Sequence, residues 1–172
     1  VPSYLDYEKA ARLARLQVKK VQLREVDDFR IDFAELAYHL QEGDLVYLGR
    51  PNNPTGVSFA AESLLELVAT YPETYFAVDE SFFAFINGSS ELVTAEIPVN
   101  LIVIRSLTKF YAIPGLRLGY AVASPVIARM LRQQVLPWTV NHLAQAAGVA
   151  MVGDHEYNEN SRRFVRERRL AL

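Results

Sequence analysis

The sequence predicts an α/β fold, with a mixed, mostly parallel sheet and helices on both of its faces. Two observations support this prediction. Short apolar runs alternate along the chain with longer segments whose apolar residues recur at helical spacing. Three of the short runs, which end at Leu48, Val78 and Ile104, lead directly into polar loops. Because ligands bind beyond the carboxyl ends of the strands in an open α/β sheet, these loops are the first candidates for a functional site.

In the N-terminal quarter, the apolar pattern predicts a helix over residues 6–16 and a short strand over residues 18–23. Asp32 is predicted to cap a second helix, because its carboxylate can accept hydrogen bonds from free backbone N–H groups. Glu35 stands three residues later, at the capping-box position. We expect this helix to end near Gln41, where a glycine follows.

Three strands are predicted in the centre of the chain, over residues 46–48, 75–78 and 101–104, where apolar residues run almost without interruption. Such runs are typical of parallel strands that are buried on both faces. An amphipathic helix over residues 60–70 connects the first two strands.

The C-terminal part is predicted to begin with a strand over residues 117–123. Its connection to the preceding strand is so short that we expect the two strands to be antiparallel. The remaining segments are predicted to form helices over residues 125–134, 139–152 and 156–172.

Composition narrows the class of protein. The 172 residues are 51% hydrophobic and 22% charged, which suits one globular domain with a substantial core. The net charge of −2 argues against a nucleic-acid partner, and the apolar runs are too short to span a membrane. The chain has no cysteine, which excludes thiolate chemistry and fits the cytoplasmic location that we expect. No metal site is predicted, because the three histidines lack metal-ligand spacing.

Each of the three polar loops carries a side chain that suits one part of pyridoxal 5′-phosphate. Lys109 can hold the aldehyde of this cofactor as an imine, and Asp79 can keep its pyridine nitrogen protonated. The amide of Asn53 can hydrogen-bond the ring hydroxyl. An asparagine beside prolines usually forms a turn, and a lysine at a strand end is common on ordinary surfaces. The cofactor interpretation therefore depends on the three residues occurring together.

The loop around Lys109 also carries groups that suit a phosphate. The hydroxyls of Ser106 and Thr108 can donate hydrogen bonds to phosphate oxygens, and Arg117 can clamp a phosphate with two parallel donors. We expect Lys109 to lie beside Arg117 and to be partly desolvated, as a lysine that forms an imine requires. Glu80, which follows Asp79, is expected to face solvent or a backbone donor.

The motifs PNNPTG, VDE and SLTK, with an arginine eight residues after the lysine, resemble in this order those of the class I and II aminotransferases. These are pyridoxal-phosphate enzymes of fold type I, and the chain resembles the core of their large domain. The resemblance implies that Lys109 is the catalytic residue and that Tyr4 stacks on the pyridine ring. For Tyr4, packing against a helix N-terminus is the alternative. The cofactor-binding residues that it implies are Tyr4, Asn53, Asp79, Ser106, Thr108, Lys109 and Arg117.

Set against this family, the chain covers roughly the central half. The resemblance implies that residues 1–153 form the cofactor-binding large domain, without its N-terminal part. Residues 154–172 are then a helix that leads to a C-terminal small domain. We therefore expect a piece of a larger, homodimeric enzyme, whose other parts supply a phosphate loop and an arginine for the substrate carboxylate. The isolated chain is expected to lack activity.

Within the family, the segments RSLTKFYAIPGLRLGY and LPWTVN are most similar to threonine-phosphate decarboxylases of cobalamin biosynthesis. Phe82 stands where the aminotransferase pattern usually has tyrosine, which also favours a decarboxylase. The resemblance thus implies decarboxylation of O-phospho-L-threonine, a small phosphorylated amino acid, to aminopropanol phosphate. Two alternatives stay open: a histidinol-phosphate or related aminotransferase, and a fragment that binds cofactor or assembles without activity.

Overall fold

The computed structural model describes residues 1–86 and 89–171. Within these residues the chain forms one four-stranded sheet in the order β1-β2-β3-β4. The first three strands are parallel, and β4 is antiparallel to β3. The predicted α/β fold with a mixed, mostly parallel sheet is therefore confirmed. The strands are β1 (Leu45–Gly49), β2 (Tyr75–Asp79), β3 (Leu101–Ser106) and β4 (Gly119–Ala123).

Six α-helices are present in the described part of the chain, and none of them is long and apolar enough to cross a membrane. Short 3-10 turns lie at Glu25–Asp27, Phe83–Phe85 and Pro114–Leu116. The α-helices are α1 (Leu5–Leu13), α2 (Phe33–His39), α3 (Ala61–Thr70), α4 (Pro125–Gln134), α5 (His142–Val152) and α6 (His155–Leu170).

The predicted cap of α2 is present, because the Asp32 carboxylate accepts hydrogen bonds from the backbone N–H groups of Ala34 and Glu35. The first helix is shorter than predicted. It ends at Leu13, since Arg15 adopts a left-handed conformation with φ of 60° that a right-handed helix cannot include.

The predicted strand over residues 18–23 is wrong. This segment has no regular secondary structure. Its backbone bonds to the chain terminus instead: the N–H of Leu23 donates to the carbonyl of Val1 at 2.8 Å, and the amino group of Val1 donates to the carbonyl of Val21. The alternation of apolar residues is suitable for a strand, but the described residues offer no neighbouring strand with which it could form a ladder.

The hydrophobic core lies on one face of the sheet, beneath α2 and α3. Successive residues of a strand point to opposite faces, so alternate positions of β1, β2 and β3 enter this core. Its buried members are Leu36, Val46, Ala61, Leu64, Leu67, Val68, Phe76, Val78, Leu92, Leu101 and Val103. On the opposite face, Tyr7 of α1 stacks on Tyr47 of β1 with ring centroids 4.2 Å apart. Helices thus contact both faces of the sheet.

The C-terminal helix α6 is anchored to the segments that follow β2 and β3. The hydroxyl of Tyr157 donates to the carbonyl of Phe110 at 3.1 Å, and Nε of Arg162 donates to the carbonyl of Ala84 at 3.0 Å. The domain boundary predicted between residues 153 and 154 stays a prediction. The last residue of the predicted C-terminal helix, Leu172, lies outside the described residues.

Replacement of Gly119 with alanine is expected to disturb the pairing of β3 and β4. Gly119 pairs with Ser106, and a Cβ at position 119 would lie 2.6 Å from the carbonyl oxygen of Arg105, so the strands must shift. We expect Gly119→Ala to lower the free energy of unfolding by about 1–3 kcal/mol, as measured by urea denaturation. Gly115→Ala is the control, because a Cβ there meets no atom within 4 Å. Equal stability of the two variants would contradict the prediction.

Candidate cofactor site

The carboxyl ends of the three parallel strands lie side by side. Gly49 of β1 is in register with Asp79 of β2, which is in register with Ile104 of β3. Hydrogen bonds between neighbouring strands continue one residue past the ends of β1 and β2. The N–H of Arg50 donates to the carbonyl of Asp79 at 2.9 Å, and the N–H of Glu80 donates to the carbonyl of Ile104 at 2.8 Å. The three loops that follow these strands therefore start at one edge of the sheet. We refer to this edge as the carboxyl edge.

Asp79 is already oriented by two hydrogen bonds. Its Oδ1 accepts from the backbone N–H of Ser81 at 2.8 Å, and its Oδ2 accepts from the hydroxyl of Tyr7 at 2.7 Å. A carboxylate has about four lone-pair sites, so Asp79 retains capacity for a further donor such as a pyridinium N–H. Tyr7 was not among the predicted site residues. The available signal was its position three residues after Tyr4, one turn along a helix.

Tyr4 precedes α1 and is 45% exposed. Its ring meets that of Tyr7 edge-to-face, with centroids 5.6 Å apart, and its hydroxyl donates to Asp6. The hydrogen bond to Asp6 raises the pKa of Tyr4, the charge of Asp79 raises it further, and the charge of Arg117 lowers it. Tyr4 therefore lies within electrostatic range of both Asp79 and Arg117.

Two tyrosines beside Asp79 keep their protons at high pH. Burial, together with the hydrogen bond to Asp79, raises the pKa of Tyr7 well above its ordinary value. Burial and the negative charge of Asp79 raise the pKa of Tyr47 to about 12. At neutral pH, Tyr7 therefore stays a hydrogen-bond donor to Asp79.

This environment predicts a loss of stability at alkaline pH. Tyrosines in the unfolded chain ionise near pH 10, whereas folded Tyr47 holds its proton until about pH 12. The contribution of Tyr47 to the free energy of unfolding is therefore fully present below pH 10. It is lost as the pH rises from 10 to about 12. Tyr47→Phe should flatten that fall in urea denaturation between pH 9 and about pH 11.5. Tyr38→Phe, at a side chain that is 87% exposed, is the control, and an equal effect of both changes would refute the prediction.

Ser106, Thr108 and Lys109 form one cluster after β3. The Ser106 and Thr108 hydroxyl oxygens are 2.7 Å apart, and Nζ of Lys109 donates to Oγ of Ser106 at 3.4 Å. The ammonium also lies over the ring of Phe82, 5.4 Å from its centroid. Thr108 is buried and Ser106 is half-buried. The two predicted phosphate donors thus adjoin the predicted catalytic amine.

Partial desolvation of Lys109 was expected but is not observed, because this side chain is exposed. Arg117 is exposed too, and its Nη1 donates to the carbonyl of Pro114 at 3.2 Å. The backbone brings Arg117 near the lysine loop, since the adjacent Leu118 accepts a hydrogen bond from the N–H of Leu107. Among the described residues, however, no hydrogen bond joins the Arg117 side chain to Ser106, Thr108 or Lys109.

The two asparagines of PNNPTG have different environments. Asn52 is buried and holds the loop together: its Nδ2 donates to the carbonyl of Pro2 at 3.0 Å and to Oγ1 of Thr55 at 2.9 Å. Gly56 closes the loop with φ of 70°, a conformation that favours glycine. Asn53 is half-buried, and its side chain makes no hydrogen bond within the described part of the chain. Its amide is therefore available to a ligand.

Glu80 was expected to face solvent or a backbone donor, but it is 1% exposed and its partners are side chains. Asp79 and Glu80 are consecutive and point to opposite sides of the chain at the strand end. Glu80 can be buried because Arg50 and Arg105 both pair with its carboxylate, each at 2.9 Å. These two arginines were not among the predicted site residues. The available signal was an arginine directly after β1 and another near the end of β3.

The donor set at the carboxyl edge fits pyridoxal phosphate chemically. It offers an amine, a carboxylate with spare acceptor capacity, a free amide and two adjacent hydroxyls. Two surface depressions lie elsewhere, one along α1 and one lined by residues 21–35. No group of three or more potential metal ligands occurs in residues 1–86 and 89–171.

Comparison with known proteins defines the family. The family model for aminotransferase class I and II matches residues 1–172. This chain belongs to the class I and II aminotransferase family. The resemblance that the motifs indicate is thereby confirmed. The enzymes of this family depend on pyridoxal phosphate, so the predicted cofactor is that of the family.

Two curated relatives represent different reactions. The chain is 36% identical over 172 residues to a threonine-phosphate decarboxylase from Salmonella typhimurium, covering 96% of this chain and 47% of that protein. It is 35% identical over 174 residues to a histidinol-phosphate aminotransferase from Desulfitobacterium hafniense, again covering 96% and 47%. The chain thus spans about half the length of the relatives it matches. Their similar identities do not distinguish decarboxylation from transamination.

The fold of this aminotransferase-family chain recurs in a solved structure. The histidinol-phosphate aminotransferase from Clostridium acetobutylicum superposes with a TM-score of 0.85 and 32% sequence identity. The match covers 94% of this chain and 49% of that one. The sheet and its flanking helices are therefore those of a fold-type-I enzyme core.

Proposed function

We propose that this chain is the cofactor-binding part of a pyridoxal-phosphate-dependent decarboxylase that converts O-phospho-L-threonine to aminopropanol phosphate, a step of cobalamin biosynthesis. One observation carries the choice of reaction: Phe82, which lacks the hydroxyl usual in aminotransferases, lies directly beneath the Lys109 ammonium. The 36% identity to a threonine-phosphate decarboxylase over almost the whole chain makes this reaction a candidate, but it does not by itself favour it over transamination. We propose further that the full-length enzyme is a cytoplasmic homodimer.

When bound, pyridoxal phosphate accepts the electron pair that is released as a bond at the substrate Cα breaks. In the proposal, Lys109 would hold the cofactor covalently before the substrate binds. It would then deliver the proton that takes the place of the departing carbon dioxide at Cα. Asp79 keeps a proton on the pyridine nitrogen, with Tyr7 orienting its carboxylate. The amide of Asn53 binds the ring hydroxyl, and Tyr4 stacks on the ring.

The phosphate group is assigned to the lysine loop. Ser106 and Thr108 supply hydroxyl donors 2.7 Å apart, and Arg117 supplies a positive charge. The guanidinium of Arg117 must leave the carbonyl of Pro114 to reach a phosphate beside these hydroxyls. This movement is feasible because the side chain is exposed and its one described bond is to a loop carbonyl.

The second candidate is transamination of histidinol phosphate or a related substrate, which the 35% identity to a histidinol-phosphate aminotransferase favours. The cofactor-binding residues serve both reactions, and substrate placement determines which Cα bond breaks. The third candidate is a cofactor-binding or assembly fragment without activity. The presence of Lys109, Asp79 and Arg117 argues against a decayed site in the full-length protein, although we expect the isolated chain to be inactive.

The test uses the full-length protein with pyridoxal phosphate. One reaction contains O-phospho-L-threonine and is followed by release of carbon dioxide. A parallel reaction contains histidinol phosphate and 2-oxoglutarate and is followed by formation of glutamate. Carbon dioxide release without amino-group transfer is the expected result. Glutamate formation without carbon dioxide would overturn the decarboxylase proposal in favour of the aminotransferase.

A further inference from the structure

A buried ion network lies directly behind the carboxyl edge. Glu80 is at its centre: Oε1 accepts from Nη1 of Arg50 at 2.9 Å and from the hydroxyl of Ser90 at 2.7 Å. Oε2 lies 2.9 Å from Nη2 of Arg105. Nη2 of Arg50 additionally donates to Glu91 at 2.9 Å. We call Arg50, Glu80 and Arg105 the ion network.

The network is shielded from water to a degree that is unusual for charged groups. Arg50 is 4% exposed and Glu80 is 1% exposed. Both guanidinium groups also lie over the ring of Phe83, with Cζ 4.7 Å from the centroid for Arg50 and 5.1 Å for Arg105. Each guanidinium is thus compensated by the Glu80 carboxylate and by the aromatic face of Phe83.

Stability alone is a weak explanation for such a network. Burying ions costs desolvation energy, and well-packed apolar residues often stabilise a fold as well as a buried ion pair does. What this network does supply is a defined geometry. Oε1 of Glu80 accepts directional hydrogen bonds from Arg50 and Ser90, and Oε2 forms an ion pair with Arg105 at 2.9 Å. The location of the network should therefore indicate which part of the protein requires a defined geometry.

Each member of the network is next to one of the cofactor loops. Arg50 begins the loop that carries Asn53, Glu80 directly follows Asp79, and Arg105 directly precedes Ser106. These members come from three separate strand ends, at positions 50, 80 and 105, and meet at one carboxylate. A shift of any one strand end would stretch an ion pair to another.

We propose that the ion network positions the three cofactor-bearing strand ends relative to one another. Arg50, Glu80 and Arg105 are positioning residues, which act through the Asn53 loop, Asp79 and the Ser106–Lys109 cluster. The inference rests on the proposed function, because it requires a cofactor at this edge. It predicts that cofactor binding depends on the geometry of the network as well as on its charges.

The test compares variants that keep the charges but alter the geometry. Arg105→Lys retains the positive charge and removes the planar fork. Ser90→Ala removes one hydroxyl donor to Glu80 and is the milder change, chosen to leave the protein folded. Val68→Ala, at a core position of α3 that is 2% exposed, is the control for lost stability without a change in the network.

The readouts are taken on the full-length protein. They are the thermal midpoint without cofactor, the dissociation constant of pyridoxal phosphate by absorbance titration, and the pH midpoint of the absorption band of bound cofactor. We expect Arg105→Lys to weaken cofactor binding by about 10-fold or more, as changes to residues that orient metal ligands do. Ser90→Ala should weaken binding to a smaller extent, and both changes should shift the pH midpoint. Val68→Ala should lower the thermal midpoint alone.

The inference is overturned if Arg105→Lys and Ser90→Ala bind pyridoxal phosphate as the unaltered protein does, or no more weakly than Val68→Ala. The network would then be purely structural. This outcome differs from failure of the proposed function, in which the unaltered protein itself takes up no pyridoxal phosphate and shows no cofactor absorption band.

Discussion

Replacement of Lys109 with alanine in the full-length enzyme is expected to abolish turnover. Loss of proton transfer alone should lower the rate by about 10²–10⁴-fold, and loss of covalent attachment to the cofactor adds to this. The reason is positional: Lys109 adjoins the Ser106 hydroxyl and the Phe82 ring at the carboxyl edge. The free energy of unfolding should change by less than about 0.5 kcal/mol, because the side chain is exposed.

The measurement is carbon dioxide release from O-phospho-L-threonine at saturating cofactor, alongside urea denaturation of each variant. Lys20→Ala is the matched control, because Lys20 is also exposed and its ammonium pairs with Glu8. It should retain the rate of the unaltered enzyme. If Lys109→Ala kept more than a tenth of that rate, Lys109 would not be the catalytic residue.

Glu80→Gln is expected to lower the free energy of unfolding by about 3–5 kcal/mol, the cost of breaking a buried ion pair by removing one partner. Glutamine is of similar size and can still accept a hydrogen bond, but it removes the negative charge that Arg50 and Arg105 share. The buried guanidinium of Arg50 and that of Arg105, whose side chain is 11% exposed, would then lie close together without that compensation. Equilibrium denaturation in urea without cofactor measures the effect.

Asp27→Asn is the control for this change, since it removes the charge of an exposed ion pair between Arg24 and Asp27 with a separation of 2.7 Å. Such surface pairs contribute no more than about 1 kcal/mol. If Glu80→Gln were no more destabilising than Asp27→Asn, the two arginines would not depend on Glu80. The network would then be unable to couple the strand ends.

The parts of the fold that the sequence predicts well are those determined by local pattern. The parallel strands are evident because each is a near-continuous apolar run bounded by polar loops, as burial on both faces requires. The antiparallel direction of β4 follows from a connection too short for a crossover. The cap of α2 is evident because Asp32 can bond only to the N–H groups that follow it closely.

The features that the sequence does not reveal depend on contacts between distant residues. The hydroxyl of Tyr7 binds Asp79, 72 positions away, and no local pattern pairs them. Glu80 was expected at the surface because glutamate rarely lies buried without a partner, and its partners at positions 50 and 105 are distant in sequence. The strand predicted over residues 18–23 is absent, because a strand needs a neighbouring strand to pair with and its own residues do not specify one.

The candidate site shows the same division. The residue types of the cofactor site are local motifs at strand ends, and the parallel register brings those ends to one edge. The environment of each side chain, in contrast, depends on residues that are distant in sequence. Lys109 is exposed and Arg117 bonds to its own loop, and neither environment follows from the residues beside them in sequence.

The central claim is that Lys109 holds pyridoxal phosphate at the carboxyl edge. The most direct measurement is to incubate the full-length protein with pyridoxal phosphate, reduce it with borohydride, digest it and locate the modified lysine by mass spectrometry. The chain carries its own controls, because it has four lysines: Lys9, Lys19, Lys20 and Lys109. The account predicts stoichiometric labelling at Lys109 and trace labelling elsewhere. Stoichiometric labelling of another lysine, or uniform trace labelling of all of them, would contradict it.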